Sequence, residues 1–315
     1  MNTLKDIAGY IKAKDPFILA THVSPEGDAF GSAIALSMAL DAMGKASLVY
    51  DRDPVPEFYT FLPGWQRVLN TLDGTRTEDY NLILLDCNDL ERAGLEGKSF
   101  KDTAVIDHHI TERDFGRLRW IEPGTAAAGL MVYRLLKELG TPITKDIAVN
   151  LYTAIAVDTG IFRYGNTSPE ALKSAAELVE AGAEPDTVAE GLYETWSPGR
   201  FMLFAKSLNT IQFSDGVAIT VVTKKMFEET GTTSSDTENF PGYARVVKDI
   251  KVCALIKETD PGTWKVSLRS SKDTDVASVA QAFGGGGHRN ASGCTIKADL
   301  ETAKELLLKK IHERI

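Results

Sequence analysis

Three short apolar runs end directly in ionisable side chains: Phe17-Ile18-Leu19-Ala20-Thr21 in His22, Leu82-Ile83-Leu84-Leu85 in Asp86, and Ala104-Val105-Ile106 in Asp107-His108-His109. Unbroken apolar runs of this length suit strands buried on both faces, and helix-period segments lie between them. An α/β fold is expected, a parallel sheet flanked by helices. In an open parallel sheet the carboxyl ends of the strands line one crevice, so groups remote in the sequence converge there.

Strands are expected at residues 17–21, 47–50, 81–85 and 103–106, with helices at 29–43, 126–139, 145–156 and 168–181. Asn166, Thr167 and Ser168 offer caps for the last helix, and Gly140 and Gly182 offer stops. Pro185 and Ser197-Pro198-Gly199 break the rhythm. The expected division is a first domain over 1–184, a linker with a helix over 185–208, and a smaller α+β domain over 209–315. A cleft between the two domains would hold the active site. The second domain would contain alternating β segments, the run Gly284 to Gly287 and a terminal amphipathic helix from about Leu300.

Length and charge narrow the function. The chain has 315 residues and a formal charge of -9, so a broad basic face for a long nucleic-acid duplex is not expected. Residues 206–315 carry 16 Lys/Arg against 14 Asp/Glu, whereas residues 1–205 carry 19 against 30. Acid therefore gathers in the first part, where it either solvates a surface or holds cations. The apolar stretches at 126–136 and 147–157 are shorter than the roughly 18 residues of a membrane span. Three scattered cysteines, Cys87, Cys253 and Cys294, have neither zinc nor disulfide spacing. With no secretory pattern in the first ten residues, a cytoplasmic setting is expected.

Beside His22 stand Glu26 and Asp28. Each could serve as a first-turn acid favoured by a helix dipole. Gathered with Asp86 and Asp107 in one crevice, however, they would repel one another without cations. Asp158, after the apolar helical stretch Ile155-Ala156-Val157, is either a turn residue or a further ligand. Imidazole and carboxylate without thiolate select a borderline-hard divalent ion, Mn²⁺ ahead of Mg²⁺, and two ions are compatible with the number of ligands. In the second part, the four glycines either form a linker or let backbone amides approach a phosphate.

The segments His22-Val23-Ser24-Pro25-Glu26-Gly27-Asp28, Asp86, Asp107-His108-His109 and Asp158-Thr159-Gly160 resemble, in order and context, the four motifs of the DHH phosphoesterases. Gly284 to Gly293 resembles the glycine-histidine signature of the DHH-associated C-terminal domain. Phe162-Arg163-Tyr164 and Glu238-Asn239 look most like the oligoribonuclease and pAp-phosphatase branch. The resemblance implies one metal held by His22, Glu26 and Asp86, and a second held by Asp28, Asp86, His108 and Asp158. Asp107 would orient a histidine, and His109 would face the phosphate or leaving group. Arg269, Gly285, Gly286, Gly287 and His288 would bind substrate.

The family usually has Asp where this chain has Glu26, and the extra methylene shifts the carboxylate by about 1 Å. The implied activity is metal-dependent cleavage of short oligoribonucleotides to mononucleotides and of 3′-phosphoadenosine 5′-phosphate to AMP. Linear dinucleotides from cyclic dinucleotide turnover are an alternative substrate. A non-catalytic nucleotide or RNA binder is the rival, with Glu26 as its sequence support. The implied partners are short single-stranded RNA or nucleotides, with no membrane and no long duplex, and a homodimer is compatible.

Overall fold

The structure, a computed structural model, describes residues 2–109, 115–270 and 274–315. The chain folds as two units, Met1–Thr195 and Trp196–Ile315. Within residues 185–208 the helix of the first half buries Val188 in the first unit's core, and the helix of the second half buries Leu203 in a core of the second unit.

The first unit holds strands β1 (Phe17–Ala20), β2 (Ser47–Tyr50), β3 (Val68–Leu69), β4 (Asn81–Leu85), β5 (Asp102–Asp107) and β6 (Leu118–Ile121). They lie in the order β3-β2-β1-β4-β5-β6, and every pair is parallel. Its helices are α1 (Leu4–Ala13), α2 (Gly27–Ala42), α3 (Ala128–Leu139), α4 (Lys145–Asp158), α5 (Pro169–Glu180) and α6 (Pro185–Tyr193). The apolar runs feed two separate cores. Phe17, Leu19, Ile83, Leu85 and Ile106 face one that contains residues of all six helices. Ile18, Ala20, Leu82, Leu84 and Val105 face another, closed by Leu72, Cys87, Ala93 and Leu95 from connecting segments. The α/β architecture is as expected, with the helices gathered on one face of the sheet.

Helix α2 is buried along nearly its whole length, Phe30 and Ile34 packing on Tyr59 and Leu62 while Ala33 and Leu36 face the main core. Full burial of each such large side chain is worth about 1.5–3 kcal/mol. Its polar residues are matched internally: Ser32 Oγ donates to Asp28 Oδ1 (3.1 Å), and Ser37 Oγ meets Ser47 Oγ (2.9 Å). Thr144 and Ser168 cap α4 and α5, and Gly140 ends α3 in the left-handed region.

The second unit contains α7 (Pro198–Leu208), β7 (Gln212–Ser214), β8 (Val217–Val222), α8 (Lys224–Thr230), α9 (Phe240–Tyr243), β9 (Val252–Asp260), β10 (Thr263–Ser270), α10 (Val276–Gln281), β11 (Gly286–His288), β12 (Ala291–Lys297) and α11 (Leu300–His312). Its sheet runs β11-β12-β10-β9-β8-β7, with β8 and β9 parallel and the other neighbours antiparallel. Among the described residues no helix is long and apolar enough to cross a membrane.

Candidate metal centre and active site

In the first sheet the strand order reverses beside β1, whose neighbours are β2 and β4, and the crevice of such a sheet opens at the carboxyl ends of strands at that point. His22 follows β1, Asp86 follows β4, and Asp107 ends β5. A cavity of about 220 Å³ there is lined by His22, Ser24, Glu26, Asp86, Arg92, His108, His109 and Asp158. Asp86 leaves its strand with φ of 56°, in the left-handed region that Asp tolerates, and its N–H donates to Ile106 O (3.0 Å).

Two histidines present the same nitrogen to Asp86. His22 Nδ1–H donates to Val23 O and His108 Nδ1–H to Thr125 O, each at 3.0 Å. Each Nε2 is thereby turned inward: that of His22 lies 3.3 Å from Asp86 Oδ2, and that of His108 lies 3.1 Å from Asp86 Oδ1. A backbone carbonyl fixing one imidazole nitrogen while the other faces carboxylates is the arrangement of metal-ligating histidine. Asp86 Oδ1 is buried without a hydrogen-bond partner among the described residues. An orphaned carboxylate oxygen facing an imidazole nitrogen that bears a lone pair fits a cation between them.

Helix ends bring in the remaining acids. Asp28, in the first turn of α2, is fully buried and also stands at the start of α3, where Ala128 N–H and Gly129 N–H donate to its two oxygens (2.7 and 2.8 Å). Ala127, at the N-cap of α3, supplies no side-chain cap, so Asp28 does this from a hundred residues away. A Cβ on Gly129 would lie 2.4 Å from Ala154 Cβ and 3.3 Å from Asp28 Oδ1, which explains the glycine. Asp158 is the last residue of α4, the helix end where a carboxylate is least favoured. Its Oδ2 lies 3.3 Å from His108 Nε2, and Asp28 Oδ2 lies 3.6 Å from the same atom.

The titration of the cluster follows from this crowding. Burial, followed by the charge of Asp86, pushes Asp28 up to about 7. Burial, with Asp28 and Asp86, pushes Asp158 up to about 9. Burial opposes ionisation of Asp86 and of His108, but the opposite charges gathered around each prevail, the imidazoles lowering the Asp86 carboxyl and the carboxylates raising the His108 imidazole. His22 behaves likewise: burial would lower it, and Asp86 raises it. The site therefore retains protons that a divalent ion would displace.

Asp107 and His109 form a second arrangement. Asp107 is fully buried, and its Oδ1 accepts from His109 Nδ1–H (2.7 Å) and His109 N–H (3.2 Å), while Oδ2 accepts from Asn88 Nδ2 (2.6 Å). The imidazole of His109 remains 38% exposed at the cavity wall, so its Nε2 is open to a ligand.

The structure thus brings His22, Asp28, Asp86, Asp107, His108, His109 and Asp158 together in the first unit, with Glu26 on the wall of the same cavity. Ligand atoms of Asp86, His108 and His109 lie within 4.8 Å of one another, as do those of Asp28, His108 and Asp158. Ser24, Arg92, Asn88 and the carbonyl of Thr125 were not anticipated from the sequence. The only available signal was the position of Ser24 and Arg92 in loops that follow strands, where polar residues are ordinary.

Arg269, the glycines and His288 belong to the second unit. Arg269 and His288 are both register partners of Ala291, across β10-β12 and β12-β11, so their backbones share one row of the sheet. The side chain of His288 lies outside the described residues. The Arg269 guanidinium bonds only Leu268 O (3.1 Å) and has no ion pair among the described residues. Packing inside the sheet accounts for two of the glycines: a Cβ on Gly285 would lie 2.2 Å from Gly293 O, and one on Gly287 would lie 2.6 Å from Ala291 O. Gly286 faces open space.

Comparison with known proteins agrees with both halves. The DHH family, N-terminal domain, matches residues 16–155, and the DHHA1 domain matches residues 215–315. The chain is similar to the bifunctional oligoribonuclease and PAP phosphatase NrnA of Thermus thermophilus, with 35% identity covering 98% of this chain and 93% of that protein. The protein of the same description from Bacillus subtilis is 29% identical, covering 93% and 96%. A crystal structure of an exopolyphosphatase-related protein from Bacteroides fragilis, 26% identical, superposes with a TM-score of 0.90 over 98% of this chain and 95% of that one. With a crevice of imidazoles and carboxylates at the switch point of its sheet and relatives aligned over nearly its full length, the chain belongs to the DHH phosphoesterase family with a DHHA1 domain.

Proposed function

We propose that the chain hydrolyses short oligoribonucleotides to mononucleotides and 3′-phosphoadenosine 5′-phosphate to AMP, with two divalent ions. The observation that carries this reading is the pair of inward-facing Nε2 atoms on either side of Asp86. In it, His22, Glu26 and Asp86 would hold one ion, and Asp28, Asp86, His108 and Asp158 would hold the other. The imidazoles favour Mn²⁺ over Mg²⁺. Bound ions of this kind stabilise charge on phosphoryl oxygens and make water a better nucleophile near neutral pH.

The chain's own residues do the rest. Water adds to phosphorus as the P–O ester bond breaks, with no covalent enzyme intermediate. Asp107 holds Nδ1–H of His109; with Nε2 also protonated, the imidazolium would pass that proton to the departing oxygen and regain one released by the attacking water. Arg269, Gly285 to Gly287 and His288 of the second unit grip the substrate. These roles divide the chain into a metal-binding first domain and a substrate-binding second domain.

The test is product analysis with purified protein, Mn²⁺, labelled di- to penta-ribonucleotides, a linear cyclic-dinucleotide product and pAp. Turnover of the diribonucleotide and pAp, lost in Asp86→Ala, is expected. Binding without product, unaffected by Asp86→Ala, would leave a nucleotide-binding protein instead.

A further inference from the structure

We propose that Arg92 is a catalytic residue whose guanidinium grips non-bridging oxygens of the scissile phosphoryl group, an inference that rests on the phosphoesterase reading above. Among the described residues Arg92 is the single Lys or Arg on a cavity wall otherwise made of imidazole, carboxylate and one hydroxyl. Among the described residues its side chain makes no ion pair, although Glu26, Asp86 and Asp158 line the same cavity. A guanidinium placed there opposes cation binding. The arrangement becomes favourable once a dianionic or monoanionic phosphoryl group lies between the guanidinium and the ions, because the planar fork then meets two oxygens.

The backbone beneath Arg92 is rigidly held, as a transition-state donor requires. Ala93 and Leu95 are buried in the core below the sheet. Asp89 ties the turn together by accepting Glu91 N–H at its carboxylate (2.9 Å) and Ala93 N–H at its carbonyl (3.1 Å). Arg92 O accepts Val23 N–H (2.7 Å), and Val23 O accepts Nδ1–H of His22 (3.0 Å), so the position of Arg92 is fixed relative to the first metal's imidazole.

The experiment compares the full chain with Arg92→Ala and Arg92→Lys, which leave that backbone link in place. Three quantities are measured: Mn²⁺ binding by calorimetry, kcat and KM on diribonucleotide and pAp, and inorganic phosphate affinity of the Mn²⁺-loaded protein. Arg92→Ala is expected to lower kcat on both substrates on the order of 10²-fold. Its Mn²⁺ affinity should be unchanged or tighter, Arg92→Lys should fall between, and added guanidinium should restore part of the rate. Unchanged kcat, a loss confined to KM, or a loss that follows lost Mn²⁺ binding would each overturn the proposal. If the unaltered chain turns over neither substrate, the phosphoesterase reading fails separately, and phosphate affinity then decides: equal affinity in Arg92→Ala overturns the proposal, and at least tenfold weaker binding supports it.

Discussion

Asp158→Asn should make the metal-free protein more stable while disabling it. Burial, then Asp28 and Asp86, raise the Asp158 carboxyl from an ordinary 3.8 to about 9, so at pH 7 the folded chain holds a proton that the unfolded chain releases. The difference between pH 7 and 3.8, about three units at about 1.36 kcal/mol each, sets a ceiling of about 4 kcal/mol of lost stability. The amide replaces a neutral carboxyl that can itself donate its proton within the site, so a side chain of the same shape recovers only part of that ceiling, about 1–3 kcal/mol. That corresponds to a rise of roughly 2–10 °C in Tm. The assay is thermal and urea unfolding with chelator from pH 4 to 9. The gain should vanish near pH 4, where both states carry the proton, and grow toward pH 9. With saturating Mn²⁺ the order should reverse, because only the unaltered site gains the full binding free energy. A metal-free Asp158→Asn that is less stable than the parent at pH 7 to 8, or a gain independent of pH, would refute the electrostatic reasoning.

The unsubstituted metal-free protein should lose stability as pH rises from about 4 to 9, since the raised Asp28, Asp158 and His108 all favour the protonated fold and the lowered Asp86 acts only below that window; a flat Tm profile would contradict this. Mn²⁺ binding should release protons and tighten over the same range, as read by calorimetry in buffers of different ionisation heat. Gly129→Ala places a Cβ 2.4 Å from Ala154 Cβ and should cost about 1–3 kcal/mol in urea unfolding while weakening Mn²⁺ binding through Asp28. His109→Gln should lower kcat by about 10²–10⁴ with Mn²⁺ affinity retained, and a parallel loss of metal would reassign it as a ligand. Glu26→Asp should shift the Mn²⁺ concentration at half-maximal rate, and superimposable titrations would make that carboxylate's length immaterial.

The sheet was legible because β1, β4 and β5 are buried on both faces and so read as unbroken apolar runs. A cap marked α5, where Ser168 holds the first turn. The edge strands β3 and β6 escaped notice, one being two residues long and the other carrying Arg119 amid apolar neighbours. Helix α1 was missed as well, although Thr3 and Asp6 form a capping box at its start. The glycine run shows the opposite limit. Its composition suggested open backbone, whereas Gly285 and Gly287 are required by the approach of β12, a contact that no local pattern announces.

What the sequence determined is the chemistry at the ends of the strands: side-chain period fixes which residues form the sheet, and a parallel sheet sends all its carboxyl ends to one side. What only the tertiary structure decided is how each group is aimed. Val23 O and Thr125 O choose which imidazole nitrogen faces Asp86, the amides of α3 hold Asp28, and a turn tied to Val23 places Arg92 on the cavity wall. Local sequence encodes periodicity and capping within a few residues, whereas the orientation of a buried polar group is set by partners that packing brings from as far as a hundred residues away.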